Sequence, residues 1–245
     1  MRMREGYESM RGRERAVVVA LLTLIVVDVV AVVFSIVELA MLDRLIAGEP
    51  VSDSEIDASN TRASAIGLIQ TALLIAVAVF FIRWLRVAYR NADVVAPGLR
   101  RYGHGWAIGA WFVPFLNLWR PKQIVNDVWR AGDPSNAPYA ARLPVWLNLW
   151  WAAWLLTNVL GQVAGRLSLR QDTNEELRTL DYWYIASDAT DAVAALLAIL
   201  VVRRISARLE ERGASAPPPP VWQPPAAPAA VGSGWSPEAP ERLGD

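Results

Sequence analysis

The stretch from residue 16 to residue 41, AVVVALLTLIVVDVVAVVFSIVELAM, decides the fold class of this chain. Its only charged residues are Asp28 and Glu38. A bilayer core of about 30 Å requires roughly 20 apolar residues in a helix, so the stretch is long enough to cross a membrane. It is also longer than the apolar part of a cleavable signal peptide, so we predict a retained membrane span.

Three further stretches have the same character, at residues 63–82, 143–165 and 183–202. The chain is 54% hydrophobic, above the share of about 45–50% usual in soluble domains. Because backbone polar groups in hydrocarbon must be satisfied within the chain, each stretch should be a helix. The sequence therefore predicts an all-α integral membrane protein with four spans, in contact with the lipid bilayer.

Residues 105–118 are apolar but too few to cross, and Pro114 breaks them. Such short segments are typical of re-entrant or interfacial structure. If this segment does not cross, 18 basic residues lie on its side of the membrane and five on the other. The positive-inside rule then places residues 105–131 and both termini at the cytoplasmic face.

A short amphipathic helix is predicted after Pro121, which suits a first helical position. One face carries Ile124, Val125, Val128 and Trp129. We expect this helix to lie along the cytoplasmic surface of the membrane.

Composition divides the chain into a cytoplasmic N-terminal segment (1–15), a helical membrane domain (16–205) and a cytoplasmic tail (206–245). From Gly213 onward the tail is rich in Pro and Ala, so we predict that it is disordered. It offers a polyproline segment to a protein partner, or is a plain solvated tail. The chain has 23 Arg and one Lys, Lys122, a hint of a GC-rich bacterial genome. We therefore expect a multi-pass protein of the bacterial cytoplasmic membrane.

Several chemistries are excluded by residue content. The chain has no Cys and only one His, His104, which excludes thiolate catalysis and a His-rich metal site. No catalytic or nucleotide-binding motif is present, and net charge is zero. We expect no enzymatic activity, no cofactor, no metal and no nucleic-acid partner.

Asp28 is the most informative single residue, because an acidic side chain at mid-span is costly and should face the bundle interior. It either handles an ion, proton or polar ligand, or joins helices through a hydrogen bond to Asn148, Asn158 or Gln70. Asp188 and Asp191 share a helix face near the start of the last span. They form a solvated helix start, pair with Arg166 or Arg170, or bind a cation weakly.

Tryptophans and glycines give weaker signals. Trp146, Trp150 and Trp154 recur every four residues, which predicts a packed aromatic seam or, alternatively, a groove for lipid. The Gly161 and Gly165 pair permits close helix approach, within the chain or in a homo-oligomer.

Residues 83–130 carry an ordered set of motifs, with an Arg-Asn pair, spaced tryptophans, a Trp-x-x-Pro break and a second proline. The residues are Trp84, Arg86, Arg90, Asn91, Trp106, Trp111, Pro114, Pro121 and Trp129. In this order they resemble the bacterial membrane family known as domain of unknown function 4328. The resemblance implies a multi-span membrane protein and brings no activity, cofactor or catalytic residue. Lys122 stands where an apolar residue is expected.

The sequence leaves two functions open. The leading hypothesis is a non-enzymatic scaffold or regulator of a membrane partner, using the amphipathic helix and the tail. The alternative is a small transporter, channel or lipid-binding protein. In that case Asp28, Asn117, Arg120 and Asn148 would border a polar cavity open to the cytoplasm, beside the broken segment.

Overall fold

The computed structural model describes residues 6–135, 141–170 and 172–214, and these residues form helices and connections without β-strands. The helices are α1 (Arg11–Ile46), α2 (Asp53–Val95), α3 (Trp106–Gly109), α4 (Arg120–Ala131), α5 (Val145–Leu167) and α6 (Asn174–Ala214), with a 3-10 helix at Leu116–Leu118. The predicted all-helical class is confirmed. The predicted spans at 16–41, 63–82 and 183–202 lie within α1, α2 and α6, which extend five to thirteen residues beyond them at each end, whereas both bounds of α5 lie two residues after those predicted for 143–165.

Three of these helices, α1, α2 and α6, are long and apolar enough to cross a membrane. They hold 36, 43 and 41 residues, so at 1.5 Å per residue the shortest is about 54 Å long and exceeds the bilayer core. Large apolar side chains on them face outward; Val26 is 62% exposed and Leu68 is 73% exposed. Such surfaces suit lipid, and the chain has the character of a membrane protein.

Helices α1 and α6 run antiparallel to each other. The backbone N–H of Met10, just before α1, donates to Glu210 near the end of α6 at 2.7 Å. At the opposite end Arg178 of α6 pairs with Asp43 of α1 at 3.1 Å. We call the end of the bundle near Met10 and Glu210 the terminal end. The opposite end, near Asp43 and Arg178, carries the α1–α2 connection at residues 47–52, and we call it the loop end.

Local signals set the helix boundaries. The Ser52 side chain accepts from the Glu55 backbone N–H at 3.3 Å and begins α2. Thr173 and Glu176 form a reciprocal capping box at the start of α6, with both hydrogen bonds at 3.2 Å. Pro121 lies in the first turn of α4, where its missing N–H costs nothing.

The predicted break in residues 105–119 is present. α3 ends at Gly109, the 3-10 helix follows Pro114, and Phe115 adopts a positive φ of 64°. No helix long enough to cross a membrane forms in this segment, because the proline and the left-handed residue end each turn early.

The placement of α4 differs from the expectation. Its apolar residues Ile124, Val125 and Val128 are at most 1% exposed and belong to the protein core. The apolar face therefore packs within the chain, against α2 and α6, and does not rest on lipid. An amphipathic pattern demands an apolar neighbour, and here that neighbour is protein.

The end of the membrane domain also differs. α6 continues to Ala214, past the predicted domain end at 205, and includes Gly213, where the tail was expected to begin. The tail prediction otherwise falls on residues 215–245, outside the described residues.

The two halves of the bundle differ in character. The terminal half holds an apolar core in which Trp84, Leu85 and Val201 are completely buried. The loop half places polar side chains between the same helices, and this is where the candidate site lies.

Candidate functional site

A hydrogen-bonded network joins three helices near mid-bundle. Nε2 of Gln70 on α2 donates to Oδ1 of Asp28 on α1 and to Oδ1 of Asp188 on α6, each at 3.1 Å. Both protons of the amide are thereby used. Asp28 is 1% exposed, so the predicted inward orientation is confirmed, and its partner is Gln70 among the three candidates.

A cleft of about 380 Å³ opens beside this network, in the loop half of the bundle. Its wall is made by α1, α2 and α6, and it includes both Gln70 and Asp188. The other polar or aromatic lining residues are Phe34, Ser35, Glu38, Ser59, Asn60, Arg62, Ser64, Asp181 and Tyr184. The cleft is at the small end of the size range of ligand pockets.

Carboxylates dominate the cleft. Among its described lining residues, Glu38, Asp181 and Asp188 are acidic and Arg62 is basic. Arg62 is close enough to attract the Glu38 carboxylate, and its guanidinium lies 5.9 Å from the ring centre of Phe34. Asp181 is 6% exposed, and its Oδ2 has no hydrogen-bond partner within the described part of the chain.

The sequence did not single out Glu38, Arg62 or Asp181. The signal was present as helical spacing, because Asp181, Tyr184 and Asp188 at i, i+3 and i+7 share one face of α6. It was missed because Asp181 precedes the predicted span at 183–202, whereas α6 begins at Asn174, nine residues before that span.

The other residues expected around Asp28 lie elsewhere. None of Asn117, Arg120 and Asn148 lines the cleft. The broken segment contacts α2 through Trp111 and Phe81, with ring centres 5.7 Å apart. Phe81 follows Gln70 by 11 residues, about 16 Å along the helix axis. The structure thus brings Asp28 together with Gln70 and Asp188, not with the broken segment.

Arg120 has a separate role at the terminal end. Its guanidinium lies over the Trp106 ring at 4.0 Å and near the Tyr102 ring at 4.8 Å, which fixes the start of α4 by cation–π contact. Asn148 is exposed on α5, and Asn117 is partly buried in the 3-10 helix.

The predicted aromatic seam is confirmed. Trp154 packs edge-on against Trp111 at 5.5 Å and stacks on Trp151 at 4.6 Å, while Trp146 contacts Trp129 at 5.2 Å. The Trp151 Nε1–H donates to the Leu118 carbonyl at 3.1 Å. The seam thereby holds the broken segment against α5.

Two motif residues of α2 hold the N-terminal segment. The Asn91 side chain accepts from the Glu8 N–H at 3.0 Å and donates to the Glu8 carbonyl at 2.7 Å. Arg90 pairs with the Glu8 carboxylate at 2.8 Å. These contacts explain the Arg-Asn pair, whereas Arg86 is exposed on the same helix.

Two motif tryptophans join the terminal end to α6. Trp84 donates to the Ser206 hydroxyl at 3.0 Å, and the Arg208 guanidinium lies 3.8 Å from the centre of the Trp129 ring. The motif residues described above therefore make packing contacts away from the cleft. The cleft is lined by other side chains.

No group of three or more His, Cys, Asp or Glu side chains that could hold a metal ion occurs among the described residues. The cleft carboxylates are too dispersed for a metal-ligand set, and the arrangement suits hydrogen bonding and charge pairing with a small polar molecule.

Comparison with known proteins gives one match. The family model described as Domain of unknown function (DUF4328) matches residues 47–207. No curated protein and no solved structure matches the chain. The matched range contains Arg62, Gln70, Asp181 and Asp188, and it leaves α1 with Asp28 outside.

Proposed function

The chain belongs to the DUF4328 family, whose name specifies no activity, and we propose from its site that it is a four-crossing membrane protein that binds a small polar solute inside the bundle. The solute would occupy the cleft between α1, α2 and α6. This places the protein in the class of small transporters and solute-binding membrane proteins.

The fourth crossing is α5, and the course of the chain supports it. The Trp129–Trp146 contact puts the start of α5 next to α4 at the terminal end. The Arg178–Asp43 pair puts the start of α6 at the loop end. α5 connects these two levels, and its 23 residues cover about 35 Å, enough to cross a bilayer core of about 30 Å.

Charge supports a cytoplasmic position for the terminal end. The terminal end holds the basic residues of α4 and of the last turns of α6 together with Arg11, Arg13 and Arg15, as the positive-inside rule requires. The solute cleft then lies in the half of the bundle nearer the outer face of the bacterial membrane.

The observation that carries the proposal is the Asp28–Gln70–Asp188 network at the edge of the cleft. A charged side chain at the centre of a span costs roughly 2.5–3.5 kcal/mol on insertion scales, so such residues generally serve a solute or ion path. A bundle selected for stability alone would fill this space with apolar side chains.

Cysteine accessibility in proteoliposomes tests whether the cleft contains water. The chain has no native Cys, so Ser35→Cys in the cleft and Val33→Cys on the outer face of α1 form a matched pair. Iodoacetamide reacts with ionised thiols, which do not form in hydrocarbon. We expect alkylation of the Ser35→Cys variant and none of the Val33→Cys variant; an inert cysteine at position 35 would overturn the proposal.

A second candidate is the scaffold that acts on a protein partner. The apolar face of α4 is buried within the chain, so this proposal now depends on the tail beyond Ala214, with its run of prolines. Deletion of residues 215–245 should abolish partner capture from detergent extracts if the tail is the contact. A partner retained by the truncated chain would refute it.

A further inference from the structure

The proposed solute cleft has an uneven charge. Three of the described lining side chains are carboxylates, Glu38 on α1 and Asp181 and Asp188 on α6. The single guanidinium in the described lining is that of Arg62 on α2. Gln70 supplies both of its amide protons to Asp28 and Asp188, so it has no donor left for a further group. The Glu38 carboxylate thus has Arg62 and Ser59 near it, and Asp188 has Gln70.

Asp181 is the remaining carboxylate of the described lining, and it has no such partner. It is 94% buried, it lines the cleft, and its Oδ2 has no hydrogen-bond partner among the described residues. The nearby arginine of its own helix, Arg178, pairs with Asp43 instead. Glu38 is near enough to repel the Asp181 carboxylate. Burial of an unpaired carboxylate is costly, and a cation in the cleft removes that cost.

The remaining walls suit an organic cation. Phe34 and Tyr184 line the cleft, and aromatic faces attract ammonium and guanidinium groups. The volume of about 380 Å³ is far more than a bare ion requires. The carboxylates also form no metal-ligand cluster within the described ranges, which favours a molecule with an apolar part over a metal ion.

We propose that the cleft binds a small organic cation, whose ammonium or guanidinium group lies between Glu38 and Asp181 and whose apolar part contacts Phe34 and Tyr184. This inference rests on the proposed solute-binding function and specifies its substrate class. The carboxylates supply charge attraction, and the rings exclude water from the bound cation.

Charge-matched thiol reagents test the inference on the Ser35→Cys variant in proteoliposomes. The probes are the cationic 2-(trimethylammonium)ethyl methanethiosulfonate and the anionic 2-sulfonatoethyl methanethiosulfonate. Each rate is divided by the rate at Ala47→Cys, an exposed control at the loop end. A cleft of net negative charge raises the local concentration of cations about 10-fold or more. We therefore expect the cation-to-anion rate ratio at Ser35→Cys to be about 10 times the ratio at Ala47→Cys.

Substitution of the carboxylates locates the effect. Asp181→Asn or Glu38→Gln in the Ser35→Cys background should bring the ratio down several-fold toward the Ala47→Cys value. Asp57→Asn, an exposed acidic residue of α2 outside the cleft, should leave it unchanged. The ratio in the variant with all carboxylates intact decides the inference even if a substituted chain does not fold.

Direct competition uses three probes of similar shape, 2-phenylethylammonium, 2-phenylethanol and phenylacetate. The ammonium compound should slow iodoacetamide alkylation of the Ser35→Cys variant, while the alcohol and the carboxylate should not. Equal reaction with both charged reagents, or equal protection by all three compounds, would overturn the cation assignment and leave a wet solute cleft. No reaction with any reagent would overturn the proposed function itself.

Discussion

Nε2 of Gln70 lies 3.1 Å from Oδ1 of Asp28, and this hydrogen bond joins α2 to α1 at the level where the apolar core gives way to the polar cleft. Asp28 is 1% exposed, so in the folded chain the Gln70 amide supplies a hydrogen bond that bulk solvent does not. The hydrogen bond offsets part of the cost of burying the Asp28 carboxylate. It also holds α1 and α2 together at one wall of the cleft.

Substitution Gln70→Ala should lower the thermal unfolding midpoint in detergent, because Asp28 and Asp188 both lose a donor. Hydrogen bonds to charged groups contribute about 1.5–3 kcal/mol. Thr71→Ala is the matched control, since the Thr71 hydroxyl donates to the Gly67 carbonyl of its own helix. If both variants melt at the same temperature, the network has no stabilising role.

Gly213→Ala should destabilise the terminal end. A Cβ at this position would lie 2.8 Å from Cε2 of Tyr7, whereas nothing lies within 4 Å of a Cβ at Gly165. Overpacking costs about 1–3 kcal/mol, while Gly→Ala in an open helical position gains about 0.5–1 kcal/mol. Unfolding midpoints should therefore move in opposite directions for Gly213→Ala and Gly165→Ala.

The same clash should disappear in a Tyr7→Ala background, where Gly213→Ala is expected to cost nothing further. An equal cost of Gly213→Ala with and without the tyrosine would show that the two residues do not meet.

Trp151→Phe should loosen the broken segment, because the carbonyl of Leu118 loses its 3.1 Å indole donor. A lost neutral hydrogen bond costs about 0.5–1.5 kcal/mol, and proteolysis within residues 110–119 should accelerate. Trp154→Phe removes a comparable indole from the same stack without removing this hydrogen bond. Equal proteolysis of the two variants would contradict the assigned role of the Trp151 N–H.

The free energy of unfolding should rise at alkaline pH because of Lys122. Burial lowers the pKa of Lys122 to about 8 from the usual 10.5, and its Nζ donates to Oδ1 of Asn126 at 2.7 Å. Between about pH 8 and 10.5 the unfolded chain holds a proton that the folded chain has lost, so stability increases with pH across this window. The full shift corresponds to about 3 kcal/mol.

Lys122→Met removes that titration, and its stability should change less between pH 8 and 10.5 than that of the unsubstituted chain. Parallel pH profiles of the two unfolding midpoints would show that Lys122 titrates with its ordinary pKa. At pH 7 the methionine variant should be the more stable, which agrees with the expectation of an apolar residue at this position.

The helical class followed directly from the length of the apolar stretches. In the bilayer core a single crossing segment satisfies its backbone hydrogen bonds internally only as a helix. The break after Gly109 followed from Pro114 for the same local reason. The aromatic seam followed from a four-residue repeat on one helix, Trp146, Trp150 and Trp154, since that repeat places the rings on one face whatever the neighbour is.

The position of α4 shows where such inference ends. A face of Ile124, Val125 and Val128 needs an apolar neighbour, but lipid and protein satisfy it equally. Only the packing of α2 and α6 beside this helix settled the choice, and it placed all three side chains in the core.

The candidate site divides in the same way. Sequence by itself determined that Asp28 must be inward and partnered, because an isolated carboxylate at mid-span is too costly. Tertiary structure alone decided that Gln70 is the partner, that Asp188 joins it, and that Glu38 and Asp181 share a cleft far from Asn117. These pairings depend on the rotation of three helices about their axes, and that rotation is set by contacts between helices distant in the chain.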